Sequence, residues 1–223
     1  MKKPDTIAID GPVASGKTAV GRGIARKLGM RFLDTGVMYR AITWIALDRN
    51  LDIADEDQLS TLAESVKMTL VAGDSEDRLF LDDVDVTDHL RDALVERHVS
   101  AVSAVGRVRG ALVERQRGIA KQGPVVMVGR DIGTVVLPNA DFKAFLDASV
   151  DVRAQRRHSE TVAKGLESSL EQVKADLARR DKLDTERDNS PLRAAEDAAI
   201  INTDDLGLEE VITKILKLME SSK

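Results

Sequence analysis

Eight consecutive residues, Gly11, Pro12, Val13, Ala14, Ser15, Gly16, Lys17 and Thr18, follow the pattern of a glycine, four residues, a glycine, a lysine and a serine or threonine. The glycines let the backbone wrap closely round an anion, which faces consecutive N–H groups and a helix N-terminus. Lys17 has the reach to meet the β and γ phosphates of a nucleoside triphosphate. The Thr18 hydroxyl suits Mg2+, and Ala19 continues the first helical turn. The competing reading is an ordinary glycine-rich turn capping a helix, and the strand before and helix after the loop argue against it.

A phosphate-binding loop alone does not separate a hydrolase, a switch protein, a motor and a small-molecule kinase. Five further segments set arginine beside carboxylate or hydroxyl groups. They are Asp34 to Arg40; Ser100 with Arg107 and Arg109; Gly129-Arg-Asp-Ile-Gly133; Arg153 with Arg156 and Arg157; and Arg180 to Arg187. Planar guanidinium donors suit phosphates and base edges. Each segment also has a plain reading. Arg40 could lie on a solvated helix face, and so could the run from Arg153 to Arg157. Arg180, Asp184 and Arg187 at i, i+4, i+7 could form an intrahelical salt-bridge ladder. Arg130 and Asp131 follow an apolar strand, at the strand end where open α/β sheets bind ligands.

The elements that must hold these residues alternate. Thr6–Asp10 reads as a strand; Ala19, Val20, Ile24, Ala25 and Leu28 recur at helical spacing, with Gly29 as C-cap. A strand over 30–33 and a helix over 38–47 follow, then apolar strands at 124–128, 142–146 and 198–202. That alternation predicts a parallel sheet covered on both faces. Segments 68–71, 78–81 and 84–86 break the rhythm as short antiparallel strands, with a polar turn over 73–77. They mark an inserted subdomain over about 63–98 in a single domain whose core is about 1–62 and 99–223. A long helix over about 100–122 leads back to the sheet.

At 223 residues with 43% hydrophobic content the chain can bury a substantial core. Its 33 basic against 38 acidic residues give a net charge of −5, which argues against a general surface for polymeric nucleic acid. The absence of cysteine excludes disulfides, thiol catalysis and sulfur-ligated zinc, and His89, His98 and His158 are too scattered for a metal cluster. No signal-peptide core or membrane-length apolar run is visible, so a cytoplasmic location and no membrane partner are expected.

The pattern as a whole resembles the bacterial cytidylate kinases, nucleoside monophosphate kinases that act on CMP and dCMP. The resemblance runs nearly end to end. It rests on Gly11 to Thr18, on Asp34-Thr-Gly-Val-Met-Tyr-Arg40, on Gly129 to Pro138, on Phe145 to Ser149, and on the spacing of Arg180, Asp181, Asp184 and Arg187. It implies a three-layer P-loop fold with a monophosphate-binding insertion and a lid over about 150–187.

The resemblance implies ATP bound by residues 11–19 with Mg2+ on Thr18. Arg40 and Arg130 would hold the acceptor phosphate. Thr35, Ser100, Arg109, Asp131 and Arg187 would surround the cytosine, and Arg180 and Asp184 would address the sugar. Lys17, Arg130, Arg153 and Arg157 would serve catalysis, Arg153 and Arg157 from the lid. A carboxylate such as Asp131 can accept from the cytosine N4 amino group while Arg109 or Ser100 donates. Thr35 stands where many members have serine, which keeps the hydroxyl. Val128 stands where members commonly carry Asp or Glu, leaving Asp10 or Asp131 as substitutes near the magnesium. A monomer is expected. The alternatives are a P-loop kinase for another acceptor, such as UMP or a shikimate-like alcohol, and a nucleotide-dependent switch module.

Overall fold

A computed structural model describes residues 4–71 and 77–221. The chain begins with β1 (Thr6–Asp10), α1 (Lys17–Leu28), β2 (Arg31–Asp34), α2 (Thr35–Asp48) and α3 (Glu56–Ser65). Next come β3 (Met68–Val71), β4 (Arg78–Leu81), β5 (Val84–Asp85), α4 (Ala93–Ala104) and α5 (Gly106–Ala120). It finishes with β6 (Val125–Gly129), β7 (Phe142–Asp147), α6 (Val150–Ala163), α7 (Leu170–Glu186), β8 (Ala199–Asn202) and α8 (Leu208–Ser221). These elements fall into two compact units, Met1–Asp34 with Ile119–Lys223, and Thr35–Gly118.

The first unit is built on a five-stranded sheet in the order β2-β6-β1-β7-β8, parallel throughout. Ile7 and Ile9 of β1 and Val126 and Val128 of β6 are fully buried, as strands covered on both faces must be. They pack with Val20 and Ile24 of α1 and with Val211, Ile212 and Ile215 of α8. The register sets Asp10 opposite Gly129, Asp34 opposite Val128, and Asp147 opposite Asn202. The carboxyl ends of the strands therefore line up, and loops 11–16, 130–131 and 148–149 all leave from that edge, where ligands bind in open α/β sheets. The expected strand over 198–202 is not buried throughout. β8 is an edge strand; Ile201 is fully buried while Ile200 is 68% exposed, so one of its faces meets the core and the other is left uncovered.

The second unit carries α2 to α5 and a three-stranded antiparallel sheet in the order β3-β4-β5. The turn expected over 73–77 lies outside the described residues except for Asp77. The single helix expected over 100–122 is in fact two. α4 ends at Ala104, Val105 is extended at φ −65 and ψ 117, and α5 starts at Gly106. A β-branched residue followed by glycine is a weak place for a helix to continue, and Val105 is buried in its extended form.

Candidate active site

The loop 11–16 owes its shape to its glycines. A Cβ on Gly11 would stand 2.3 Å from the Leu146 carbonyl oxygen, and Gly16, at φ 90, enters α1 from a left-handed conformation. Gly16 has no side chain with which to cap α1, and the N–H groups of a helix N-terminus suit an anion. Lys17 is buried and donates Nζ to Pro12 O at 2.8 Å, which brings the ammonium back across the loop it follows.

Thr18 donates Oγ1 to Asp34 Oδ2 at 2.8 Å, so the hydroxyl expected to serve magnesium stands beside a carboxylate at the end of β2. A hydroxyl with a carboxylate is the hard oxygen donor set that suits Mg2+ alongside substrate phosphates. Asp10 is used otherwise. Its Oδ1 accepts from Ile132 N at 2.8 Å and its Oδ2 from Gly133 N at 2.7 Å. Burial pushes the Asp10 carboxyl up to about 6, with Asp131 adding to the rise, while the two N–H donors and Lys17 oppose it.

Arg130 leaves β6 and donates Nε to Asp184 Oδ2 at 2.7 Å. Burial alone would raise the Asp184 pKa, but Arg130, Arg187 and Arg180 together hold it below the usual carboxylate value. Asp184 and Arg180 are buried on α7, and Arg187 stands just past the helix, donating Nε to Ser190 O at 2.6 Å. The carboxylate thus bonds across 54 residues to Arg130 and is the shared anion of three arginines. Asp131 is buried as well.

On α6, Arg153 is 4% exposed, so it is no part of a solvated face. Its Nε donates to Ala148 O at 2.9 Å, and Nη1 and Nη2 grip Asp181 of α7 at 3.1 and 2.6 Å. Nη1 also reaches Val13 O of the loop at 3.2 Å. Arg156 donates to Thr203 Oγ1 and O, and Thr203 Oγ1 donates to Ser15 O at 3.4 Å. Arg157 is partly exposed and pairs with Glu160 at 3.2 Å.

Within the second unit, Arg40 of α2 donates Nε to Glu96 of α4 at 2.8 Å. Arg109 of α5 is buried, with its guanidinium carbon 5.3 Å from the Tyr39 ring centroid and Nη1 donating to Ser103 O at 3.1 Å. Ser103 Oγ in turn donates to Ser100 O at 3.0 Å. Thr35 opens α2 and is buried, and Ser100 is buried on α4. The expected residues therefore form two groups in different units: Thr35, Arg40, Ser100 and Arg109 in one, and Arg130, Asp131, Arg180, Asp184 and Arg187 in the other.

The family model described as "Cytidylate kinase" matches residues 7–221. The chain belongs to the cytidylate kinase family. The cytidylate kinase of Bacillus cereus (strain ATCC 10987 / NRS 248) is 46% identical over 219 residues, 98% of this chain and 97% of that one. The cytidylate kinase of Bacillus thuringiensis (strain Al Hakam) matches to the same extent. A solved gluconokinase from Sinorhizobium meliloti 1021 has a TM-score of 0.52 at 15% identity, covering 99% of this chain and 94% of that one; this likeness speaks for the fold alone.

For a cytidylate kinase the departure at Val128 has a clear structural counterpart. Val128 is fully buried in the core cluster, where its Cγ1 would lie 2.5 Å from a Cβ on Gly21 of α1. The carboxylate beside Thr18 is supplied by Asp34. Sequence reasoning quoted Asp34 without giving it a role, although its place directly after the strand expected over 30–33 was a signal. Asp181, next to Arg180, was likewise quoted without a role, and Glu96, one helical turn before Ser100, was passed over. Among the described residues no helix is long and apolar enough to cross a membrane, and no group of three or more His, Cys, Asp or Glu could hold a metal.

Proposed function

We propose that this chain transfers the γ-phosphate of ATP to CMP or dCMP, giving CDP or dCDP and ADP. The observation that carries this reading is the loop 11–18 standing at the same sheet edge as the segment that bears Arg130 and Asp131, in a chain of this family. The alternatives of a different acceptor and of a switch module are not favoured, because the relatives matching nearly the whole chain are named cytidylate kinases.

The attacking group is an oxygen of the acceptor phosphate, whose second pKa of about 6 leaves it mostly dianionic at neutral pH. It needs no general base. The residues position two polyanions and offset their repulsion. The backbone of 11–16 with Lys17, Thr18 and Ala19 holds the donor phosphates, and Lys17 stabilises charge on the transferred group. Thr18, with Asp34 behind it, would hold Mg2+, whose chemistry is to neutralise charge shared by the β and γ phosphates.

Arg40 and Arg130 bind the acceptor phosphate. In each, a carboxylate on Nε, Glu96 or Asp184, fixes the plane of the guanidinium and so aims it. Asp131 accepts from the cytosine N4 amino group, with Thr35, Ser100, Arg109 and Arg187 around the base and Arg180 and Asp184 at the sugar. Segment 150–187, with Arg153 and Arg157, acts as a lid that excludes water, and segment 63–98 as the monophosphate-binding insertion. The enzyme acts as a cytoplasmic monomer.

A coupled ADP-release assay across CMP, dCMP, UMP and AMP tests the reading. CMP and dCMP should be preferred over UMP by about a hundredfold or more in kcat/KM, because a site hydrogen-bonded to cytosine leaves buried groups unpaired against uracil. Equal use of UMP and CMP would contradict it.

A further inference from the structure

Asp10 is the residue before the phosphate-binding loop, yet it makes its bonds to another segment. Gly129 lies opposite Asp10 in the parallel pairing of β1 with β6. The chain then leaves the sheet through Arg130 and Asp131 and returns at once, placing the N–H groups of Ile132 and Gly133 on the two oxygens of Asp10 at 2.8 and 2.7 Å. Arg130 and Asp131 are thus bracketed, with strand pairing on one side and a two-oxygen clamp on the other. The far end of the segment is held separately, since Lys143 Nζ donates to Pro138 O and to both oxygens of Asp197. A Cβ on Gly133 would lie 3.2 Å from Lys143 Cδ and 3.4 Å from Asp10 Oδ2, so the clamp closes on the backbone itself.

The geometry points to Asp10 as a positioning residue for acceptor binding: its carboxylate fixes the 129–133 bend and thereby aims Arg130 and Asp131 at the acceptor nucleotide. The inference deepens the proposed CMP kinase reading and rests on it. Only a carboxylate can do this at one position. Two oxygens accept two diverging N–H groups, whereas an amide offers one acceptor and sets an NH2 against the other donor. The group carries a charge that its burial opposes, which is the pattern of a residue kept for function and not for stability alone. The charged groups facing it are Asp131 and Lys17, with the stem of Lys143 against Gly133.

Asp10→Asn tests it, assayed with each substrate varied at saturation of the other. The expected result is a drop of about a hundredfold in kcat/KM for CMP, the scale of a small misplacement of a binding group, with KM for ATP changed by about twofold or less. Unchanged CMP kinetics, or equal losses for CMP and ATP, would overturn the inference. Absence of CMP phosphorylation in the unsubstituted enzyme would instead overturn the functional reading beneath it. If Asp10→Asn does not fold, the unsubstituted protein supplies the readout by amide NMR between pH 5 and 7. The Ile132 and Gly133 N–H signals and the Arg130 Nε–H signal should titrate together near 6. An Arg130 signal that ignores that titration would overturn the inference, because Asp184, its bonded partner, stays ionised throughout that range.

Discussion

Arg130 gives its Nε proton to Asp184 over 2.7 Å, joining the turn after β6 to the last turns of α7. Two properties of the site follow from this pair. The guanidinium is held in one plane, and a buried carboxylate stays ionised among Arg130, Arg180 and Arg187. Asp184→Ala leaves that arginine cluster without its shared anion. It should cost about 3 kcal/mol of stability, as breaking a buried pair does, and about a hundredfold in kcat/KM for CMP. Urea unfolding and steady-state kinetics measure the two effects; a loss of stability without any change in CMP use would separate Asp184 from acceptor binding.

Lys17→Ala should abolish nearly all transfer, by about 10²- to 10³-fold in kcat, since it removes a cation aimed at the transferred phosphoryl group. Circular dichroism should still show a cooperative unfolding transition. A variant with near-normal turnover would contradict the role given to residues 11–18.

The buried Asp10 carboxyl gives a stability signature of unusual sign. Its folded pKa, about 6, lies above the ordinary 3.8, so the native state binds the proton more tightly than the unfolded chain. Its contribution is present in full below about pH 4 and is lost as pH rises through 6. The stability difference between the unsubstituted protein and Asp10→Asn should therefore fall by about 2 kcal/mol from pH 4 to pH 7. Asp184 acts in the opposite sense: its depressed pKa adds stability above the unfolded value, lost as pH falls through the folded one. Chemical unfolding of both proteins across this range checks the sign; a difference independent of pH would show that Asp10 is not the titrating group.

Gly21 lies on the face of α1 that packs against the sheet. A Cβ there would meet Val128 Cγ1 at 2.5 Å and Phe32 Cε2 at 3.0 Å. Gly21→Ala should destabilise by about 1–3 kcal/mol through overpacking, despite the better helix propensity of alanine. A stabilised variant, measured by thermal unfolding, would show that the α1 contact is looser than described.

The loop 11–18 was legible because eight adjacent residues define it, and the sheet because its strands are short apolar runs between turn signals. Gly29 was readable as the C-cap of α1, and its N–H does cap the Ala25 and Arg26 carbonyls. What local pattern could not supply were partners distant in sequence. Glu96 finds Arg40 across 56 residues, Asp181 finds Arg153 across 28, and Asp34 finds Thr18 across 16. Helical spacing alone suggested a ladder for Arg180, Asp184 and Arg187, but Arg187 lies beyond the helix and Asp184 bonds Arg130. Burial also escaped the pattern. The run from Arg153 to Arg157 looks the same in sequence whether solvated or not, and only packing against α7 and the loop shows Arg153 to be enclosed.

The central claim is that the phosphate held by residues 11–18 passes to a pyrimidine monophosphate and not to water. Incubation with γ-labelled ATP and CMP, followed by separation of products, measures this directly. The account predicts label in CDP, with free phosphate a minor product and little label released when CMP is withheld. Label appearing chiefly as free phosphate, at the same rate with and without CMP, would contradict it.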